Sequence, residues 1–242
     1  MKFTSRIINN QTPDFFDADF SMGEIILIDK PAGPTSFQVV NKIRKVTGVK
    51  KVGHSGTLDP KASGLLIVCT GKKTKDLNQF INLNKTYSGI IRLGLISSSM
   101  DTETECVEIP LPEDLDEEKI IKVRDSFLGE IEQTPPMFSA VKINGKKLYN
   151  LARKGKSIER QPRKILIEKF EVDRINLPDI YFTITCSKGT FIRVIADDFG
   201  KKLNTGGVLI QLRRLAIGDF RVDDAIPIHK FSAMFSEKTS VN

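Results

Sequence analysis

Apolar residues recur along the chain with two periods, two and about 3.6 residues, and the switches between them predict the elements. Residues 24–28 (EIILI) are a β-branched run and predict a strand. The next stretch, Asp29-Lys30-Pro31-Ala32-Gly33-Pro34-Thr35-Ser36, holds two prolines and a glycine and predicts a turn. Thr35 or Ser36 can cap the helix behind it. There Phe37, Val40, Ile43 and Arg44 recur at helical spacing, and Val46 and Gly48 close the segment. Residues 64–69 are apolar without alternation, as expected of a central strand buried on both faces.

Residues 72–83 read as a helix with Leu77, Phe80 and Ile81 inward, and 86–95 as a strand. A polar loop over 97–110 is followed by a modest amphipathic helix over 116–127. Asn144-Gly145 is a hairpin-type turn leading into a helix over 146–154. Residues 165–175 and 180–186 alternate and predict antiparallel neighbours. Ser187-Lys188-Gly189-Thr190 caps the next helix, whose Ile192, Ile195, Ala196, Phe199 and Leu203 form an apolar stripe. Gly206-Gly207 opens the last segment, where Leu209, Leu212 and Leu215 pack while Arg213 and Arg214 point elsewhere. Residues 1–22 are polar with scattered phenylalanines. Phe15, Phe16 and Phe20 offer a way to tack an arm onto the body, but a loose terminal extension is the favoured reading. The expected organisation is this extension, one domain over 23–230, and a tail over 231–242.

The 242 residues are ample for a buried core, and 40% hydrophobic with 28% charged residues fits a globular chain. No apolar run approaches the length of a membrane helix, and the start lacks the apolar core of a signal peptide. Cys69, Cys106 and Cys186 are odd in number and widely spaced, with only His54 and His229 beside them. Neither a disulfide framework nor a metal site is supported, and a reducing, cytoplasmic setting is expected. A net charge of +7 suits a polyanionic partner. Its distribution sharpens the point. Basic clusters fall at 42–51, 72–75, 142–163 and 213–214, while the acidic excess sits mostly at 101–118.

Candidate chemistry centres on Gly53-His54-Ser55-Gly56-Thr57-Leu58-Asp59-Pro60, which runs through Lys61-Ala62-Ser63-Gly64 into the apolar strand. The glycines open backbone angles closed to other residues, and Pro60 biases Asp59 toward an extended conformation. Asp59 is thus presented on a stiffened loop beside a buried strand. Taken by itself, an Asp before Pro in a Gly-rich loop is more often a turn former than a catalyst. Its full wording, GHSGTLDPKASGLLIVCTGKKTK, resembles the signature of the TruB family of tRNA pseudouridine-55 synthases. D-K-P-x-G-x-T-S upstream and, downstream, K-x-Y-x-x-x-x-x-L-G, the T-P-P-M-x-S-A-x-K stretch, C-S-K-G-T-F-I-R and L-x-R-x-x-x-G-x-F match in family order, over roughly residues 23–220.

The resemblance implies an α+β fold, a mixed, mostly antiparallel sheet flanked by helices, with a central basic cleft. It implies Asp59 as the catalytic residue, Tyr87 stacking on the target base, and Arg193 pairing with that Asp. By the residues alone, Asp197 at i+4 is an equally available partner for Arg193. Leu212 lines the base pocket in the family, and Phe191 stands where many members have Tyr, keeping a ring but losing a hydroxyl. His54 reads either as support for the displaced RNA loop or as a turn residue bonded to backbone. Lys30, placed with the substrate-binding set, belongs to a motif that supports the active-site loop. The lysines and arginines of 142–163 suggest a face for phosphates.

The implied reaction breaks the uridine C1′–N1 bond, turns the detached uracil and rejoins it through C5. It needs an anionic oxygen and no cofactor or metal. The partner is the T-arm of tRNA, with no membrane and no obligatory protein partner, and the family is known as monomeric and cytoplasmic. Many members continue into a small C-terminal RNA-binding domain, whereas this sequence stops shortly after His229. RNA affinity is therefore expected to rest on the catalytic face. The alternatives are a non-catalytic tRNA-binding or folding chaperone and a guide-RNA-dependent relative.

Overall fold

The computed structural model describes residues 6–12, 17–143 and 145–236, which fall into two compact units. The first takes the chain up to Tyr87 and again from Arg213. The second spans Ser88–Leu212. The domain expected over 23–230 takes in parts of both units.

In the first unit, β1 (Ile7–Ile8) and β2 (Ile25–Lys30) lead into α1 (Ser36–Thr47), β3 (Val52–His54) and β4 (Ser63–Thr70). A 3-10 turn (Gly71–Asp76) and the short α2 (Leu77–Ile81) follow, where one longer helix was expected. β4 pairs antiparallel with both β2 and β3. Alternation splits the strands between two apolar layers. Ile26 and Ile28 of β2 and Leu66 and Val68 of β4 join Val39, Val40 and Ile43 of α1 on one face. Ile25, Leu27, Leu65, Ile67 and Cys69 meet Phe80 on the other. Thr35 caps α1 in a reciprocal box with Gln38, and Gly48 ends it in the left-handed conformation at φ 69°. The inward face of α1 is Ser36, Val39, Val40 and Ile43. Phe37, one of the residues at helical spacing, is 59% exposed.

In the second unit, β5 (Lys85–Leu93) passes the unit boundary and precedes a hairpin, β6 (Leu95–Ser97) with β7 (Cys106–Glu108), where a polar loop was expected. Next come α3 (Glu117–Asp125), β8 (Gly129–Gln133), the short pair β9 (Lys142–Ile143) and β10 (Lys146–Lys147), and α4 (Leu148–Ala152). The helix expected over 146–154 is shorter because Lys146 and Lys147 pair with Ile143 and Lys142. Asn144, half of the expected turn, lies outside the described residues. β11 (Arg163–Asn176) pairs antiparallel with β8 and with β12 (Asp179–Cys186), as the alternation predicts. α5 (Ile192–Lys202) buries Ile192, Ile195, Ala196 and Phe199. Phe199 meets Phe127 and Phe170 in a ring cluster that also holds Phe182. The residue capping α5 is Phe191, without a side-chain bond. In the 187–190 stretch expected to cap it, the Thr190 hydroxyl donates to the Ser187 carbonyl.

β13 (Gly207–Ile217) returns the chain to the first unit, where Arg213 and Arg214 pair parallel with Ser63 and Gly64 of β4. β14 (Phe220–Arg221), β15 (Ile226–Pro227) and α6 (Ile228–Ser236) complete it. β1 and β15 share one edge of β2, both parallel to it, at Ile25–Ile26 and Ile28–Asp29 respectively. The described residues before 23 are therefore not the loose extension expected. Ile8 is fully buried, and Phe20 packs on Phe231 and Phe235 of α6 inside the stretch set apart as a tail. Phe15 and Phe16 lie outside the described residues. The architecture is α+β, a mixed and mostly antiparallel sheet with helices against it. No helix among the described residues is long and apolar enough to cross a membrane.

Because Phe20 is 8% exposed between two rings of α6, Phe20→Ala is expected to lower unfolding free energy by about 3 kcal/mol. Urea denaturation checks this, and a loose extension would leave the midpoint where it was.

Candidate active site

The loop between β3 and β4 is held from below by apolar anchors and from the sides by polar ones. Leu58 and Ala62 are each 3% exposed, so their burial pins the loop at both ends of the half-buried Asp59. The Ser36 hydroxyl donates to the Leu58 carbonyl at 3.0 Å and accepts from the Leu58 amide at 2.9 Å, tying the loop to the start of α1. Gly33 N–H donates to the Pro60 carbonyl at 2.8 Å. Downstream, Gly64 sits at φ +107°, and a Cβ there would lie 2.3 Å from the Arg214 carbonyl oxygen. Only glycine lets β13 approach β4 this closely.

Two buried cations complete the support. Arg214 is 1% exposed; its Nε donates to the Leu65 carbonyl at 2.7 Å and its guanidinium to the Gly56 carbonyl at 3.2 Å. Lys30 has no exposure at all, and its Nζ donates to Pro34 O at 2.8 Å, Pro31 O at 2.9 Å and Pro60 O at 3.5 Å. Burial pushes the Lys30 ammonium down to about 8, with the Asp59 carboxylate opposing the shift and Arg214 adding to it. The protein's own carbonyls enclose this ammonium, so Lys30 stands behind the loop rather than among groups that touch a substrate. Asp29, next to Lys30, receives a two-pronged pair from Arg213 at 2.8 and 3.1 Å.

His54 ends β3 and its Nδ1 accepts the Gly56 amide at 3.3 Å, the turn-bonded arrangement that the residues allowed. Burial lowers its pKa, which favours the neutral ring. Tyr87, the last residue of the first unit, is 8% exposed on β5. Asp59, His54, Lys30 and Tyr87 thus belong to the first unit, and Phe191, Arg193 and Leu212 to the second.

Within the second unit, Arg193 is 4% exposed in the first turn of α5, and its guanidinium lies 3.6 Å from the Asp101 carboxylate. Asp101 is itself buried, and its other oxygen accepts the Glu103 amide at 2.9 Å. Asp197, the neighbouring candidate, pairs with Lys201 instead. Phe191 is fixed through its backbone: its amide donates to Gln133 Oε1 at 2.7 Å and its carbonyl accepts from Gln133 Nε2 at 3.1 Å. Leu212 is half-buried on β13.

Three of these residues were not legible as site residues in the sequence. Arg214 had one signal, a cation two positions from the buried Ala216 on a mostly apolar strand. Asp101 sits in a polar stretch and Gln133 at the end of a strand, with nothing to mark either. No group of three or more His, Cys, Asp and Glu among the described residues is placed to hold a metal ion.

The family model described as TruB family pseudouridylate synthase (N terminal domain) matches residues 44–192. The chain is 46% identical over 220 residues to tRNA pseudouridine synthase B of Flavobacterium johnsoniae, covering 88% of this chain and 96% of that protein. It is 47% identical over 212 residues to tRNA pseudouridine synthase B of Chlorobium chlorochromatii, covering 86% and 83%. Among solved structures, one from a Cbf5-Nop10-Gar1 complex aligns with a TM-score of 0.72 at 31% identity, over 93% of this chain. The chain spans 59% of that protein's length.

Arg214→Met is expected to strand the Gly56 and Leu65 carbonyls and to cost about 3 kcal/mol in chemical denaturation. Arg214→Lys recovers little, since an ammonium lacks the planar fork. Lys30 predicts a pH signature. Its folded pKa of about 8 lies below the unfolded value near ~10.4. Between these the unfolded chain holds more protons, so stability contributed at this site rises with pH, by up to about 1.4 kcal/mol per unit. Denaturation of wild type and Lys30→Met from pH 7 to 10 checks this. Wild type gains on the variant above pH 8, and parallel curves would contradict it.

Proposed function

The chain belongs to the TruB family of pseudouridylate synthases and isomerises uridine to pseudouridine in tRNA, and on that premise we propose that it acts on uridine 55 of the T-arm loop with Asp59 as the catalytic carboxylate. The observation that carries this reading is the loop itself. A half-buried acid is borne by a backbone whose carbonyls at Gly56, Pro60 and Leu65 are each held by a buried cation.

The uridine leaves its stack at a cost of a few kcal/mol, which phosphate contacts and stacking on protein rings offset. Asp59, ionised, acts on the extruded nucleotide as the C1′–N1 bond breaks. The freed uracil turns and C5 bonds to C1′. The C5 hydrogen then leaves to solvent and N1 gains a proton. Tyr87 supplies an aromatic face, which holds a base while leaving it able to rotate. Arg193 serves the catalytic set as its cation, kept in place by Asp101. Leu212 and Phe191 line the base pocket, and His54 supports the displaced RNA loop in its neutral form. Lys30 is assigned to positioning of the Asp59 loop. A basic cleft around Asp59 receives the T-arm, and the chain works as a cytoplasmic monomer without a protein partner.

Identity of 46% to a tRNA enzyme, against 31% to the protein from the Cbf5-Nop10-Gar1 complex, favours tRNA over a guided RNA substrate. The test is release of tritium from C5-labelled uridine in a bare T-arm hairpin. Wild type alone is expected to release it at position 55, and Asp59→Asn to show a loss of at least about 10³-fold. Full turnover by Asp59→Asn would remove Asp59 from the chemistry. A need for added protein or guide RNA would favour the guided reading.

A further inference from the structure

Phe37 is the most exposed large apolar side chain among the described residues, at 59%, and it lies beside the loop that carries Asp59. Its neighbour Ser36 makes both hydrogen bonds to Leu58, so the ring's backbone is fixed two hydrogen bonds from the residue preceding Asp59. The capping box of Thr35 and Gln38 holds the same turn of helix. Phe37 is therefore a rigidly mounted ring on a surface that gives it no cover.

Its surroundings are cationic. Arg44, two turns along α1, sets its guanidinium carbon 5.7 Å from the centre of the Phe37 ring. That guanidinium is itself anchored, donating to Asn41 Oδ1 at 2.9 Å and to the Val52 carbonyl at 2.9 Å. Lys42 and Lys45 are exposed on the same helix. A ring with a fixed cation beside it, on a helix that also exposes two lysines, presents a π face and an electrostatic attraction to one ligand chemistry, an unpaired base on a phosphate backbone. An apolar protein partner would be poorly served by this charge, and the α1 core face already has its cover in Ile26, Ile28, Leu66 and Val68.

We propose that Phe37, with Arg44 beside it, is a stacking platform for an unpaired base of the RNA substrate next to the one that reacts. This rests on the tRNA-modifying reading above and adds a specificity-determining contact to it. The platform recognises extruded loop bases rather than the duplex stem, because a base offers its face only when unpaired.

The chain contains no tryptophan, so Phe37→Trp creates a single indole at the platform. Its fluorescence is expected to fall when a T-arm hairpin is added, and to stay unchanged with a fully paired duplex of the same stem. Phe37→Ala and Phe37→Leu are expected to raise KM for the hairpin about tenfold, with the effect in KM rather than kcat, while Phe37→Trp restores it. Leucine keeps apolar bulk and removes only the π face, so a Phe37→Leu KM within twofold of wild type would overturn the platform. So would an indole signal indifferent to the hairpin, or one that responds equally to the duplex. A Phe37→Trp indole that the hairpin does not quench, together with a wild-type chain that makes no pseudouridine, would remove the tRNA reading along with the platform. Quenching without turnover would keep the platform and remove only the reaction.

Discussion

Everything at the candidate site depends on how the backbone carbonyls of one loop are satisfied. Lys30 and Arg214 come from the two separate stretches of sequence that make up the first unit, and both are buried with their charges directed at carbonyl oxygens. Removing a charge from water costs several kcal/mol per ion even after relaxation. Well-packed apolar residues would often give equal or greater stability at such positions. What an apolar side chain cannot do is hold the Gly56, Pro60 and Leu65 carbonyls, on either side of Asp59 in the chain, at fixed places. The burial of two cations therefore makes sense as a device for position, at some expense to stability.

The same device explains features of the sheet that otherwise look unrelated. Arg214 reaches Leu65 O only because β13 runs parallel to β4 with Arg214 opposite Gly64. That register requires a residue without a Cβ at position 64. The Leu65–Cys69 run that follows is fully buried and makes β4 immobile, with β2 and β3 as antiparallel neighbours. Core packing, strand register, a glycine and a buried guanidinium are one arrangement, and the loop inherits its rigidity from all four. The terminal segments add to it from outside, since Ile8 and Phe231 belong to the apolar layer that also contains Leu66 and Val68.

Local rules made much of this visible in the sequence. The Thr35 cap, the Gly48 stop, the unbroken apolar run of β4 and the alternation of β11 and β12 all follow from periodicity and turn chemistry, and all stand in the structure. The Asp59 loop was legible as a stiffened turn. Failures came where a distant segment decided the outcome. Phe20 and Ile8 looked like parts of a loose arm because nothing local shows that β2 has a free edge and α6 a free face. Arg214 looked like a surface residue because the carbonyls that need it lie about 150 residues away, at 56 and 65. The exposure of Phe37 was not visible either, because helical spacing cannot distinguish a residue at the margin of the apolar stripe from one inside it.

The second unit follows the same logic with different chemistry. Arg193 in the first turn of α5 faces an unfavourable helix dipole, and the buried Asp101 gives it a reason to be there. Gln133 meets the amide and the carbonyl of Phe191 with its two ends, so a ring is fixed through its backbone while its side chain stays half-open. An isomerisation in which the base must detach and turn places opposite demands on the two sides of the reaction. The protein groups must stay still, because each ångström of drift loses the pre-organised field. The base must be held only by contacts that tolerate rotation, such as ring faces. Buried cations whose hydrogen bonds hold backbone carbonyls in place meet the first demand, and the half-open ring of Phe191 suits the second.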